Sequence, residues 1–324
     1  MKKIGILYGI ESAFPNALLE NINKRKAPGV KAEFIKIGAT KIEDLLGYNV
    51  ILDRVSHEVP FYNSILKMAV LEGIRVINNP FWSYADDSFF HNVIATRLNL
   101  NVPKTVILPT KEHPNGTTSE TLRNLEYPIN WLSAFDYVGF PAYIKPNGSH
   151  ASHIFFKVYN QTEFFSAYDL TGNHVMLLQE AIEYEEFYRC YVIGKKLVKI
   201  LSYDPAKPKH LRFNSKPKPI AEKIQGLLQE MSLKICYALG FDFNVVEFAV
   251  LNGIPYAVEF MNTAPTADKA YLHDEHYNWL VEKTSDFLIE QARARKSKPG
   301  SYSWCNFLGA EKPKTVNLKK FLDS

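Results

Sequence analysis

Residues 243–260 constrain the fold of this chain more than any other segment. FNVVEFAV and IPYAVEF are two apolar runs separated only by Leu251-Asn252-Gly253. Two such runs joined by a short, glycine-containing connection predict an antiparallel hairpin. Each arm carries one carboxylate, Glu247 in the first and Glu259 in the second. Since a charge in an apolar strand is costly, these two acids need an explanation.

The length of the hairpin turn decides whether the two acids meet, because side chains alternate between the two faces of a strand. A two-residue Asn252-Gly253 turn would pair Leu251 with Ile254. Glu247 and Glu259 would then lie on opposite faces. A three-residue loop, with Gly253 left-handed as a bulge, would put both acids on one face. In this interpretation a shared site depends on the three-residue loop.

Two carboxylates that approach each other on an apolar surface repel unless a cation lies between them. Oxygen ligands of this kind suit Mg²⁺, which completes its octahedron with water and substrate phosphates. Asn262 follows the second arm, and a turn through Thr263 would bring its amide to the same ion. The alternative is that Glu247 and Glu259 are ordinary solvated residues on an exposed sheet face. The pair, together with a strand-end asparagine, favours a metal site.

The first eighty residues alternate short apolar runs with helical segments. KKIGILYGI, VKAEFIKIG, NVILDRV and GIRVINNP are strand-like, and FYNSILKMAVLEG is helical. This alternation predicts a parallel sheet covered by helices, a Rossmann-like α/β layer. The dinucleotide fingerprint GxGxxG and the P-loop pattern GxxxxGK[ST] are both absent from the sequence.

The pattern changes after this layer. Residues 83–98 are predicted to form a helix, VPKTVILP a strand, and KEHPNGTTSETLRN a polar loop. The later strands follow one another by turns such as IGKK and LNG. Helices are predicted near 161–168, 220–239 and 276–295. We therefore expect an α+β unit with antiparallel sheets after the α/β layer.

Composition limits the classes of protein to which the chain can belong. Cys190, Cys236 and Cys305 are far apart and form no CxxC pair, which favours reduced thiols over disulfides or a zinc site. The formal net charge of +4 arises from 38 basic and 34 acidic residues, a balance too mild to indicate nucleic-acid binding. The apolar run at the start ends at Glu11, too early for a signal peptide core or a membrane span. We expect a cytoplasmic protein with neither nucleic acid nor a membrane as its partner.

Four further features stand in a fixed order along the chain: the lysine of YIKPNGSHASH, the strand and linker MLLQEAI, the arginine of EEFYRCYVIG, and the hairpin ending in EFMN. Together they resemble the ATP-grasp superfamily of carboxylate-amine ligases, in particular the ribosomal-protein glutamate ligases and glutathione-synthetase-like members. Their order and spacing over residues 78–264 carry the resemblance. It implies an ATP-grasp fold preceded by a Rossmann-like domain, and the use of ATP with Mg²⁺, or with Mn²⁺ as an alternative ion.

The resemblance also implies roles for individual residues. Lys145 would contact the nucleotide phosphates, Arg189 would neutralise the transferred phosphoryl group, and Arg212 would bind phosphate or a substrate carboxylate. The linker after MLLQ would read the adenine edge, and one of the three acids that follow, for which we favour Glu186, would hold the ribose. The implied nucleotide-binding positions are Lys145, Ser149, Gln179, Glu180, Ile182 and Glu186. The implied metal ligands are Glu247, Glu259 and Asn262.

Two departures from the family pattern keep a second function open. Ser88 stands where another nucleotide-binding lysine is expected, and the loop 147–153 has a single glycine. Nearby His91 is a candidate to compensate for the missing charge. The leading hypothesis is a ligase that joins a carboxylate to the amine of an amino acid or peptide through an acyl phosphate. The alternatives are a non-catalytic nucleotide- or peptide-binding protein and a small-molecule kinase.

The predicted domain organisation has four parts. A pre-ATP-grasp α/β domain covers residues 1–100, and the N-terminal ATP-grasp subdomain, or lid, covers 101–174. The C-terminal ATP-grasp subdomain covers 175–295, and an extension covers 296–324. The sequence specifies neither the two substrates nor the oligomeric state.

Overall fold

The structure is a computed structural model, and it describes residues 1–42, 44, 46–81, 87–148, 154–213, 218–262 and 264–294. Over these residues the chain forms three four-stranded sheets. The first is parallel, and the next two are antiparallel. This order matches the predicted α/β layer followed by an α+β unit. Within the described ranges, no helix has the length and apolar character needed to cross a bilayer.

The N-terminal sheet consists of short parallel strands with a core on each face. Its elements are β1 (Lys2–Leu7), α1 (Ala13–Lys24), β2 (Val30–Phe34), β3 (Val50–Asp53), α2 (Pro60–Leu71) and β4 (Arg75–Ile77). The strand order is β2-β1-β3-β4. Ile4 and Val50 belong to the cluster that includes α1, whereas Leu7 and Ile51 belong to the cluster that includes α2. Burial on both faces explains the continuous apolar runs Ile4–Leu7 in β1 and Val50–Leu52 in β3, whereas the edge strand β2 carries Lys31 and Glu33.

The middle sheet carries helices on one face. Its elements are α3 (Ser88–Arg97), β5 (Thr105–Leu108), α4 (Trp131–Val138), β6 (Ala142–Pro146), β7 (Phe156–Val158), α5 (Gln161–Tyr168) and β8 (Met176–Glu180). The strand order is β5-β8-β6-β7. Trp131 and Phe135 of α4 and Phe164 of α5 pack together over one face. β8 pairs in the interior of this sheet, although the lid was predicted to end at residue 174.

The C-terminal sheet shares a core with the N-terminal sheet. Its elements are β9 (Glu186–Ile193), β10 (Leu197–Ser202), α6 (Glu222–Leu239), β11 (Phe243–Leu251), β12 (Ile254–Glu259) and α7 (Asp274–Arg293). The strand order is β10-β9-β11-β12. Helix α6 covers one face, where Cys190 and Phe248 are fully buried. On the other face Tyr191 lies in the same cluster as Leu288 of α7 and Ile4 of the N-terminal sheet.

The hairpin of β11 and β12 corrects the predicted turn. Leu251 pairs with Ile254, so the connection has two residues. Asn252 and Gly253 both have positive φ, 52° and 70°. Asn-Gly is the sequence that favours a two-residue turn of this type, and the predicted three-residue loop is therefore wrong. Continued without interruption, this register would place the two carboxylates on opposite faces.

A β-bulge further along the hairpin restores the contact between the acids. Phe248 pairs with Ala257, but Glu247, which directly precedes Phe248 in β11, pairs with Glu259. Val258 is therefore an extra residue that has no partner in the ladder. The bulge changes the alternation in β12 and brings Glu259 to the face of Glu247. The two acids are direct neighbours, as the metal interpretation requires, although the turn is the tighter one.

A buried arginine ties the N-terminal sheet to the chain that follows β12. Arg54 forms an ion pair with Glu11 and donates a hydrogen bond to the carbonyl oxygen of Pro265 (2.8 Å). The other oxygen of Glu11 accepts from the backbone N–H of Ala267 (3.1 Å). A buried guanidinium needs such an anionic partner. Pro265 and Ala267 are thus held against the N-terminal sheet.

Candidate active site

A cavity of about 540 Å³ lies between the middle and C-terminal sheets. Its walls come from the face of the middle sheet opposite α4 and α5, and from the face of the C-terminal sheet opposite α6. Six of the predicted site residues line it: Lys145, Gln179, Glu180, Ile182, Glu247 and Glu259. Ser149 lies outside the described residues. Residues from three separate segments of the sequence therefore meet in one cavity.

The two carboxylates each have a cation beside them. Nε of Arg189 lies 3.4 Å from Glu247, and Nζ of Lys145 lies 3.7 Å from Glu259. Arg189 and Glu247 are paired residues of β9 and β11, so the sheet itself fixes their contact. Lys145 reaches the hairpin from β6 of the middle sheet. The four charges form a compact cluster across the junction of the two sheets.

The electrostatics of this cluster fit a bound divalent cation. Burial raises the pKa of the Glu247 carboxyl, and Glu259 adds to this effect. Arg189, Arg212 and Lys145 act in the opposite direction without cancelling it. The charge of Glu247 thus remains unfavourable even beside two guanidinium groups and an ammonium group. A metal ion bound to this carboxylate would stabilise that charge.

Arg189 is held in a cage of aromatic rings. Its guanidinium carbon lies 5.7 Å from the ring centre of Tyr191, 5.3 Å from Tyr203 and 6.0 Å from Phe213. Burial acts to lower the pKa of Arg189, but the neighbouring Tyr191 and Glu247 raise it overall. Arg189 therefore keeps its positive charge at the edge of the cavity in an orientation set by the rings.

Arg212 approaches the same cluster from the other side of Tyr203. Its Nε donates to the carbonyl oxygen of Lys207 (2.8 Å), and Nη1 donates to the hydroxyl of Tyr203 (3.2 Å). The charge of Arg212 acts to lower the pKa of Glu247, so the two groups are near each other. Arg212 is half-buried and adds a further cation to this end of the cavity.

The chain beyond β12 is positioned by a residue that sequence reasoning missed. Asn244 is fully buried in β11, and its Nδ2 donates to the carbonyl oxygen of Phe260 (2.9 Å). Its Oδ1 accepts from the backbone N–H of Asn262 (3.0 Å). Asn244 thereby fixes the turn that carries the predicted third ligand, next to Met261, which lines the cavity. The signal was an asparagine within an apolar strand, in FNVVEFAV.

Aromatic and apolar side chains form another part of the cavity lining. The rings of Tyr143 and Phe155 lie 5.0 Å apart on one side. Tyr184 and Phe187 contact each other at 5.1 Å and also line the cavity, next to Ile182. Flat apolar walls of this kind suit a planar heterocycle. They lie at the strand end predicted to read adenine.

Glu186, the favoured ribose ligand, is not brought to this cavity. Side chains alternate along β9, and Phe187 and Arg189 face the cavity. Glu186 is exposed and lies beside Tyr188, which packs in the cluster under α6. The choice among the three acids depended on the residue at which β9 begins. Its position on the opposite face does not support a ribose contact by Glu186.

Ser88 lines the cavity at the first residue of α3. Its backbone N–H donates to the carbonyl oxygen of Asn147 (2.8 Å), and the N–H of Phe89 donates to the Asn147 side chain (2.9 Å). Asp87 caps the same helix by accepting from Phe90. The helix begins at Ser88, whereas residues 83–86 of the predicted helix lie outside the described residues. The start of α3 is thus fastened to the strand end that carries Lys145.

His91 lies close to this junction. It is 2% exposed and borders a chamber of about 10 Å³ together with Ser88, Lys145 and Glu259. A space of this size is roughly that of one water molecule. The imidazole is therefore near the position where the family pattern would place a lysine. Compensation by His91 stays a prediction.

A metal ion at this site would have few ligands from the protein. In the ranges that the structure describes, no group of three or more His, Cys, Asp or Glu side chains is arranged to hold a metal ion. The candidate site has two carboxylates, and an amide at Asn262 would be the third ligand. Such a set suits Mg²⁺, which keeps waters and shares phosphate oxygens, better than it suits zinc.

Solved structures share the architecture of this chain. D-alanine–D-alanine ligase from Bacillus anthracis, complexed with ATP, aligns with a TM-score of 0.61 at 20% identity, over 90% of this chain and 97% of that one. The RimK domain ATP-grasp protein from Sphaerobacter thermophilus DSM 20745 aligns with 0.62 at 14% identity, over 90% and 100%. The VanG D-Ala:D-Ser ligase from Enterococcus faecalis aligns with 0.63 at 15% identity, over 90% and 99%.

No protein-family model and no curated protein matches the sequence. The structural likeness is therefore the finding that identifies the architecture, and it extends over 90% of the chain. The chain has the ATP-grasp fold.

Proposed function

We propose that the protein is an ATP-dependent ligase that joins a carboxylate to an amine, releasing ADP and phosphate. One observation carries the proposal: Glu247 and Glu259 lie opposite each other, flanked by Arg189 and Lys145, in a cavity that aromatic side chains also line. An acidic pair with adjacent cations fits metal-bound phosphates, and the aromatic side chains fit a base.

The adenine ring would lie between the aromatic walls, with Gln179, Glu180 and Ile182 along its edge. The phosphates would extend toward Lys145, and Ser149 would contact them from the loop that follows. Lys145 is held 3.7 Å from Glu259, so its ammonium would lie between the phosphate oxygens and the acids. A positioned cation of this kind lowers the cost of bringing phosphate to a carboxylate pair.

Glu247, Glu259 and Asn262 would hold Mg²⁺, or Mn²⁺ in its place. The ion supplies charge neutralisation and orientation of the phosphates when bound. Asn244 keeps the chain of Asn262 in place, and the bulge at Val258 keeps the two acids together. The residues present fit the ion because their unfavourable charge is already concentrated at one point of the cavity.

The chemistry would proceed in two steps. A carboxylate oxygen of the first substrate attacks the γ-phosphorus of ATP, ADP leaves, and an acyl phosphate forms. The amine of the second substrate then attacks the acyl carbon, phosphate leaves, and the amine loses a proton as the amide forms. Arg189 would stabilise charge on the transferred group, and Arg212 would bind the phosphate or the substrate carboxylate. These roles need positioning and charge, and no protein nucleophile.

Amino acids or peptides are the substrates that we favour. The similar solved structures include a D-Ala:D-Ser ligase and a D-alanine–D-alanine ligase. In this proposal the N-terminal sheet belongs to a Rossmann-like domain over residues 1–100. The lid, predicted over 101–174, also includes β8 up to Glu180, because that strand pairs within the lid sheet. The C-terminal subdomain, predicted over 175–295, then begins after β8, and the extension over 296–324 follows it; the protein would act in the cytoplasm.

The test is ADP release with Mg²⁺ATP across pairs of carboxylate and amine substrates, with the product identified by mass spectrometry. The proposal predicts release that requires both substrates and a product whose mass is the sum of the two minus water. A phosphorylated product would favour a kinase instead. Glu259→Ala should abolish the activity while the protein stays folded, and full activity in that variant would remove the metal assignment.

A non-catalytic nucleotide- or peptide-binding protein is the second candidate. Ser88 favours it, because the residue that lines the cavity beside Lys145 lacks the expected positive charge. Calorimetry with MgATP separates the two proposals. Tight binding without turnover on any substrate pair would support the binding protein.

A further inference from the structure

Three residues lie side by side on the face of the middle sheet that forms the cavity. Gln179 of β8 pairs with Thr105 of β5 on one side and with Tyr143 of β6 on the other. Directly paired residues of antiparallel strands project to the same face. Lys145, two residues after Tyr143, shares this face and lines the cavity with both Tyr143 and Gln179. The side chain of Gln179 is therefore on the cavity side of the sheet.

The hydroxyl of Thr105 makes two hydrogen bonds whose directions are fixed by its single proton. Its Oγ1 donates that proton to the carbonyl oxygen of Pro103 (2.9 Å), since a carbonyl can only accept. The same Oγ1 lies 2.9 Å from Nε2 of Gln179. With its proton already used, the hydroxyl acts as an acceptor toward Gln179. The amide must therefore present its NH₂ group to Thr105 and turn its carbonyl oxygen away.

The orientation of this amide leaves an acceptor for the cavity. Gln179 is 3% exposed, so its Oε1 can meet a ligand only from the cavity side. Among the residues that the structure describes, the Gln179 side chain makes a hydrogen bond to Thr105 only. Its Oε1 is thus a hydrogen-bond acceptor at the edge of the aromatic walls. A flipped amide would place Oε1 against Thr105 and break the bond to Pro103 or lose the one to Gln179.

We propose that Thr105 is a positioning residue that sets the nucleobase selectivity of this site. It holds Gln179 with Oε1 facing the base, so the site accepts a hydrogen bond from a purine with an amino group at position 6. A purine with a carbonyl at that position would set two acceptors against each other. Adenine is selected over hypoxanthine and guanine for that reason. This inference rests on the proposed nucleotide site and adds the device that discriminates between bases.

The test compares Thr105→Val, which has the same shape without the hydroxyl, with Thr105→Ser, which keeps the hydroxyl. Equilibrium binding of the non-hydrolysable analogues of ATP and ITP is measured by calorimetry with Mg²⁺. ITP differs from ATP at position 6 of the base and at the neighbouring ring nitrogen, so phosphate contacts cancel in the ratio. We expect the wild type and Thr105→Ser to prefer the ATP analogue by about tenfold or more. Thr105→Val should lose most of this preference, because the amide is free to turn.

A second variant keeps the inference open to refutation if Thr105→Val does not fold. Gln179→Met removes both the donor and the acceptor. It should weaken binding of the ATP analogue alone, so that the two analogues bind with about equal affinity. An unchanged preference in Thr105→Val or in Gln179→Met overturns the inference. Equal binding of both analogues by the wild type also overturns it, while the proposed function stands. Failure of the wild type to bind any nucleotide refutes the proposed function itself, and the inference with it.

Discussion

Glu247 and Glu259 lie directly opposite each other on neighbouring strands because Val258 is an extra residue in β12. The bulge changes the face of Glu259 without a change in the turn. Like charges in direct opposition destabilise a sheet unless a cation neutralises them. Arg189 and Lys145 supply part of that charge from two different sheets. The cluster therefore spans the junction of the two sheets, where we propose that a further cation binds.

Removing Arg189 should destabilise the protein through the acid that it leaves behind. In Arg189→Met, Glu247 would be buried without its paired cation, and the free energy of unfolding should fall by about 3 kcal/mol. The double variant Arg189→Met/Glu247→Gln should recover most of this loss. Urea unfolding measures all three proteins. As the control, Arg123→Met breaks an exposed ion pair with Glu120 and should change stability by less than about 0.5 kcal/mol.

Equal losses in the single and the double Arg189 variant would contradict this explanation. The guanidinium would then contribute through its contacts with the aromatic rings, and not through the charge of Glu247.

Replacing Asn244 should lower both the stability of the protein and its affinity for Mg²⁺, because Asn244 holds Asn262 in place. Asn244→Leu removes the hydrogen bonds to Phe260 and Asn262, and the free energy of unfolding should fall by about 2 kcal/mol. Mg²⁺ should also bind more weakly in the presence of nucleotide. Asn23 is a matched control, because it makes the same pair of bonds to the backbone of Ala32. Asn23→Leu should lose stability but keep Mg²⁺ affinity.

The outcome that refutes a positioning role for Asn244 is equal Mg²⁺ affinity in Asn244→Leu and Asn23→Leu. Calorimetric titration of Mg²⁺ at saturating nucleotide provides the comparison.

The sequence indicated many of the residues that line the cavity, but not the strand register and the long-range contacts that bring them together. The family resemblance pointed to Lys145 and Gln179, and both line the cavity between the sheets. The hairpin carboxylates were recognised as a pair, but the turn was not, because a bulge anywhere in an arm has the same effect on the faces. Glu186 lies on the face away from the cavity because side chains alternate along β9, and the sequence did not show the residue at which that strand begins. No local pattern signals the pairing of Arg54 with Glu11, which joins distant segments.

The two buried thiols should make stability fall at alkaline pH. Burial raises the pKa of Cys190 and of Cys236 to about 12. An unfolded thiol has a pKa near 8.5, so the unfolded chain loses these protons first. Stability is therefore complete below about pH 8.5 and falls above it by roughly 1.4 kcal/mol per pH unit for each thiol, until the folded thiols ionise. Urea unfolding from pH 7 to pH 10.5 measures the slope.

Replacing both cysteines isolates their share of that slope. Cys190→Ala/Cys236→Ala should reduce the alkaline loss of stability by roughly 2.7 kcal/mol per pH unit above pH 9.5. An identical slope in the wild type and the double variant would show that the folded thiols ionise near the ordinary value.

A positive charge at residue 88 should strengthen nucleotide binding. Ser88 lines the cavity near Lys145, so Ser88→Lys would place an ammonium beside the phosphates. We expect ATP to bind about tenfold more tightly, since a charge-assisted bond contributes more than a neutral one. Ser88→Met has similar length and no charge, and should give no gain. An equal gain in both variants would attribute the effect to side-chain bulk.

The most direct test of the central claim is electron paramagnetic resonance of Mn²⁺ with a non-hydrolysable ATP analogue. The free ion gives a strong signal that weakens on binding, so bound Mn²⁺ is counted by titration. The pairing of Glu247 with Glu259 predicts Mn²⁺ bound tightly with the nucleotide in the wild type. Affinity should fall by about tenfold or more in Glu247→Gln and Glu259→Gln. Unchanged Mn²⁺ affinity in both folded variants would contradict the claim that these two acids form the metal site.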